Sequence, residues 1–186
     1  VILAILLALA GTPVQSSNCS YNRKAMLAMD LDTFDQSENG WRTIGQKSGC
    51  EGAAISVIKD YLAAHPNFSS DQTNQLLWHE GQFLAVANRY DESLTVFSSI
   101  RETEDSQRIY QAATIAFLRR DKNALLNART KLASLPKPLD FDAAAKAFHD
   151  STGQTISWPE NLDVVDGLIR CFNNSYRVAY SDKCRR

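Results

Sequence analysis

The segment from Leu76 to Ile100, LLWHEGQFLAVANRYDESLTVFSSI, constrains the fold of this chain more than any other. Apolar residues recur at helical spacing on both sides of a polar corner at Asn88 to Asp91. A small residue, Gly81, falls where two antiparallel helices must approach closely. The pattern predicts a helical hairpin. Hairpins that stack on their neighbours usually build binding surfaces rather than reaction centres, so the segment suggests a mode of action and names no reaction.

The same periodicity extends over the rest of the chain, and no stretch reads as a strand. Helices are expected at Ser20 to Phe34, with Ser20 or Asn22 as its cap, at Gly52 to Ala64, and at Gln72 to Asn88 behind Ser70 or Asp71. Asp91 is expected to cap the helix that runs to Ile100. Asp105 or Ser106 then opens another helix, Asp121 opens its partner, and Pro136 and Pro138 end that partner. Shorter helices follow at Phe141 to His149 and Glu160 to Phe172, with a tail from Asn173 held by Cys184. A chain of 186 residues suits one core or a short stack of hairpins, and residues 11–186 read as a single all-helical domain.

Twenty basic residues against 21 acidic ones leave a net charge of −1, so no global field draws the protein to nucleic acid or to an anionic membrane. Arg177, Lys183, Arg185 and Arg186 make only a small basic cluster at the end of the chain. The first ten residues, VILAILLALA, are continuously apolar and close on Ala8-Leu9-Ala10, the small-x-small pattern of a signal-peptide cleavage site. Ten residues make roughly 15 Å of helix, half of a bilayer core. The expectation is therefore a secreted or periplasmic protein with no stable membrane insertion of the mature chain.

Export makes the four cysteines, Cys19, Cys50, Cys171 and Cys184, available for two disulfides. Three pairings are possible, and sequence alone does not choose among them. Cys19 with Cys50 and Cys171 with Cys184 is the favoured arrangement, because each pair brackets one end of the chain. Short ligand spacings of the C-x2-C kind are absent, and no metal or cofactor is expected.

The middle of the chain, about residues 40 to 136, resembles tetratricopeptide repeats, which have two helices per repeat of about 34 residues. Leu77, Glu80, Gly81 and Leu84 fall on first-helix positions, and Tyr90, Ser93 and Phe97 on the turn and second helix. Ala54, Ile58, Tyr61 and Pro66 resemble a preceding second helix; Ala112, Ile115, Ala124, Ala128 and Pro136 resemble a following unit. The small residue opening the second helix recurs at 54, 93 and 124, at irregular intervals, which marks a degenerate array. The resemblance implies a stack whose first helices line a groove for a protein or peptide segment.

On that footing the groove candidates are Gln75, Trp78, Gln82 and Arg89, with Ile109 and Ala113 contributed by the next helix. Leu76, Leu77, Trp78, Phe83 and Leu84 make this helix apolar almost all round, so Trp78 is expected to be mainly core. The surface that selects a partner is then expected on the less regular segments packed around the hairpin. Catalytic signals are sparse. His79-Glu80 begins the zinc-protease motif H-E-x-x-H, but Phe83 stands where the second histidine is needed. Asp30, Asp32 and Asp35 form an acidic run before Trp41 and Arg42, and read first as caps and a solvated loop. The alternative functions are a carboxylate-dependent hydrolase of cell-wall or extracellular material, with Asp32 and Asp35 as its acids, and a structural part of an envelope complex.

Overall fold

Side-chain caps decide where several helices begin. Asn22 accepts from the Ala25 N–H and opens α1 (Arg23–Leu27); Asp30 accepts from the Thr33 N–H and opens α2 (Leu31–Gln36). The single helix expected from Ser20 to Phe34 is thus two. Asp30 is extended, at φ −66° and ψ 165°, and its carboxylate satisfies a free N–H better from that conformation than from inside a helix. The computed structural model describes residues 18–185, and every regular element within them is an α-helix. The signal-peptide-like segment at residues 1–10 lies outside the described residues.

A short α3 (Arg42–Gly45) leads into α4 (Glu51–Ala64), and a capping box between Ser69 and Gln72 starts the long α5 (Ser70–Val86). Helices α1 to α4 and one side of α5 enclose the first core, with Phe34, Trp41, Ile44, Ile58, Tyr61 and Leu76 buried in it. The Phe34 and Tyr61 rings stack with centroids 3.7 Å apart. The other side of α5 joins a second core with α6 (Tyr90–Ser99), α7 (Asp105–Leu118) and α8 (Lys122–Ala133). Burial of α5 between two cores explains why its sequence is apolar almost all round.

After α8 the chain forms α9 (Phe141–Thr152), which is exposed along most of its length and anchored at its base by Phe141 against Trp158. It then returns through α10 (Leu162–Arg170), which packs on α7 and α8, and ends in the short helices α11 (Tyr176–Ala179) and α12 (Asp182–Arg185). Val165, Leu168 and Tyr176 complete the second core. Disulfides join Cys19 to Cys50 and Cys171 to Cys184, the favoured pairing, and pin the two terminal segments. No helix among the described residues is long and apolar enough to cross a membrane.

The corners of the α5/α6 and α7/α8 hairpins are built alike. Asn88 and Arg120, 32 positions apart, both adopt the left-handed conformation, at φ 60° and 58°. Around Asn88, the N–H groups of Ala87, Asn88 and Arg89 donate to the carbonyls of Phe83, Ala85 and Leu84. Around Arg120, those of Arg119, Arg120 and Asp121 donate to Ile115, Phe117 and Ala116 in the same order. The shared register makes Leu125 the counterpart of Ser93, so the small residue at Ala124 is not equivalent to it. It is Asp121, rather than a residue like Asp91, that caps by side chain: α6 follows Arg89 with no side-chain cap, and Asp91 lies in its first turn.

Candidate binding cleft

One face of α5 carries Asp71, Asn74, Gln75, Trp78 and Gln82 at spacings of three, one, three and four, which align along a helix. Opposite stands α7 with Gln107 and Tyr110, preceded by the loop residues Glu102, Thr103 and Glu104. Asn74 fastens that loop to α5, its Nδ2 donating to the Arg101 carbonyl at 3.1 Å. Asn161 and Tyr180, from the C-terminal segment, close the third side. The space enclosed is about 490 Å³. That volume lies within the roughly 300–1,000 Å³ common for ligand sites.

The 32-residue register explains the composition of the two long walls. It carries Gln75 onto Gln107 and Trp78 onto Tyr110, so an amide and an aromatic from each hairpin face the same space. Ile109 and Ala113, expected from the sequence to continue the groove, do not line it. Ala113 is buried, and Ile109 faces a separate shallow cavity between α7 and α8. The groove is therefore more polar than expected.

Gln75 is held from behind. Its Nε2 donates to Asp35 Oδ2 at 2.6 Å, and Asp35 also accepts from Trp41 Nε1 at 2.7 Å and from Arg42. His79 Nε2 lies 3.4 Å from the same carboxylate and 3.0 Å from Arg42 Nη2. Burial pushes the Asp35 carboxyl up, but the hydrogen bond and charge of His79, the Trp41 indole and the Arg42 guanidinium outweigh it. The group is held well below the usual carboxylate range. Asp35 is fully buried, so it is no part of a solvated loop. Its oxygens accept from Gln36 as well, and Asp32 is exposed on α2 and does not line the cleft.

Gln82 is held at the other end, donating through Nε2 to the Tyr180 hydroxyl at 3.1 Å. Tyr180 stacks on Tyr176, with ring centroids 5.4 Å apart, and the Cys171–Cys184 bridge flanks this pair. Tyr110 and Tyr176 are buried, and neither hydroxyl has a hydrogen-bond partner among the described residues. Burial first, and then neighbouring tyrosines, push both phenols well above their ordinary value, so both stay protonated donors.

Trp78 belongs to both worlds: it packs against Phe97 and Tyr110, at centroid distances of 5.0 and 4.9 Å, and lines the cleft. Arg89 does not reach the cleft and forms an exposed pair with Glu92. Three of the four groove candidates thus come together. Tyr180 and Asn161 were not foreseen individually, although the tyrosine pair in a disulfide-pinned tail was the available signal. Among the described residues no group of three or more His, Cys, Asp or Glu side chains is placed to hold a metal. Comparison with protein-family models, curated proteins and solved structures finds no match.

Proposed function

We propose that this protein is an exported, tetratricopeptide-like helical scaffold that binds a peptide or protein segment in the cleft between α5 and α7. The observation that carries this reading is the equivalence of the two hairpins. Identical corners 32 positions apart bring Gln75 and Gln107, and Trp78 and Tyr110, onto facing walls. Amides suit the carbonyl and N–H groups of a peptide backbone, and aromatics suit its side chains. From Asp71 to Gln82 the face runs roughly 16 Å, which an extended peptide spans with about five residues. The two disulfides support export, since such bonds persist in oxidising compartments.

Selection from a displayed library of random short peptides tests the reading. Thr103 is exposed at the edge of the cleft and makes no side-chain hydrogen bond, so Thr103→Trp should obstruct the space without disturbing the core. Selected peptides are expected to lose at least about tenfold in affinity for this variant, whose melting temperature stays unchanged. Peptides that bind wild type and variant equally, or a library that yields no binders, would sink the assignment.

A further inference from the structure

We propose that the cleft selects a basic peptide segment, whose lysine or arginine heads meet the carboxylates of Asp71, Glu102 and Glu104 while their stems lie against Trp78. This rests on the peptide-binding reading and adds the chemistry of the ligand.

Three independent observations lead to it. Asp71, Glu102 and Glu104 all line the cleft, no lysine or arginine does, and none of the three acids forms an ion pair among the described residues. Glu104 stands at the N-cap position of α7 yet makes no capping hydrogen bond, so its carboxylate is not engaged in starting that helix. Nearby cations are committed elsewhere. Arg42 serves Asp35, Arg101 donates to the Ser98 carbonyl, Arg108 pairs with Asp105, and Arg185 pairs with Asp163 behind Tyr180.

The second observation is mutual repulsion. Burial, and after it the like charge of Asp71, push the Glu102 carboxyl above its ordinary value. The two acids thus stand within reach of each other's charge, and neither is paired with a cation among the described residues. Inside a cleft walled by protein such a field is focused rather than dissipated into water, although the whole chain carries only −1. A bound ammonium or guanidinium would relieve it.

The third is aromatic surface: Trp78 and Tyr110 both line the cleft, and the long stems of lysine and arginine lie along such rings while their charged heads reach the acids.

The test uses capped fluorescent peptides of alternating glycine and arginine, with glutamine and glutamate counterparts, followed by anisotropy at about 0.15 M ionic strength. The arginine peptide is expected to bind at least about tenfold tighter than the glutamine peptide, and the glutamate peptide not at all. In the Asp71→Asn, Glu102→Gln, Glu104→Gln triple variant the advantage should shrink to about twofold. Thr103→Arg, which adds a positive charge and removes no hydrogen bond, should weaken the arginine peptide even if the triple variant folds poorly. Equal binding of arginine and glutamine peptides would overturn the basic selectivity and leave peptide binding standing; failure of every peptide would overturn both. Spermidine binding as tightly as the arginine peptide would overturn the peptide assignment in favour of a plain cation site.

Discussion

Gln75 on α5 donates to the buried carboxylate of Asp35 on α2 at 2.6 Å, so the residue read from sequence as a groove contact is oriented by the residue read as a catalytic acid. The bond runs between the two cores. Asp35, Trp41 and Arg42 belong to the N-terminal helices, whereas Gln75 presents its other side to the cleft. Asp35, from the acidic run near the N-terminus, therefore orients a residue on the wall of the cleft.

Asp35→Asn should cost about 3 kcal/mol of stability, because the amide leaves the Arg42 guanidinium without its countercharge and cannot accept at both oxygens. The pH dependence has a definite sign. A carboxyl whose folded pKa is depressed contributes stability that is full above its unfolded value, about 3.9, and is lost as pH falls toward the folded value. Urea denaturation should show a constant gap between wild type and variant at neutral pH, narrowing below about pH 4. A gap that persists undiminished in acid would contradict the assignment of Asp35 as the ionised partner.

Glu80 should behave in the opposite way. It is buried on α5, and burial raises its carboxyl above the ordinary value, with Lys59 and Arg89 only partly offsetting this. A raised folded pKa means a contribution that is full below the unfolded value, about 4.3, and lost as pH rises through the folded value. Glu80→Gln is therefore expected to stabilise the protein by roughly 1 kcal/mol at neutral pH, with the advantage gone below about pH 4. Thermal melts at the two pH values decide it.

The contrast between these two acids shows what the sequence carried and what it did not. Helix periodicity and the punctuation by Pro66, Pro136 and the capping residues are local signals, and they located most helices. Gly81 also announced its role, since close helix approach leaves a glycine few substitutes. Burial of Asp35 was invisible because, Gln36 apart, its partners lie six, seven, 40 and 44 positions away and no local pattern marks them. The second wall of the cleft was misplaced for a similar reason. The true offset of 32 between hairpins is set by backbone geometry at Asn88 and Arg120; asparagine suits the left-handed region and marks the first corner, but arginine gives no such signal at the second. Tyr180 reached the cleft only through the fold of the tail.

Gly81→Ala should destabilise by about 1 kcal/mol despite the higher helix propensity of alanine. Its Cβ would stand 2.9 Å from the Phe97 ring, which is fully buried and has no room to yield, and Ser93 Oγ ties the Gly81 carbonyl to α6 at 2.7 Å. Gly52→Ala on α4 meets nothing within 4 Å and should gain about 0.5 kcal/mol from propensity alone. Denaturation of the two variants side by side separates close packing from backbone entropy; a gain at both positions would refute the close approach of α5 and α6.

The two disulfides should separate stability from binding. Replacing either pair with serines is expected to cost about 3–4 kcal/mol, given sequence separations of 31 and 13. Only the second bridge flanks the cleft, because Cys171 and Cys184 bracket the segment that carries Tyr180 and its bond from Gln82. At temperatures where both variants remain folded, the Cys171→Ser, Cys184→Ser protein should therefore release a peptide ligand at least about tenfold faster than wild type. The Cys19→Ser, Cys50→Ser protein should release it at the wild-type rate, since α1 contributes no residue to the cleft. Stopped-flow dissociation reads both rates. Equal acceleration in the two variants would mean that the tail acts on the cleft only through global stability, and Tyr180 would lose its place as the third wall.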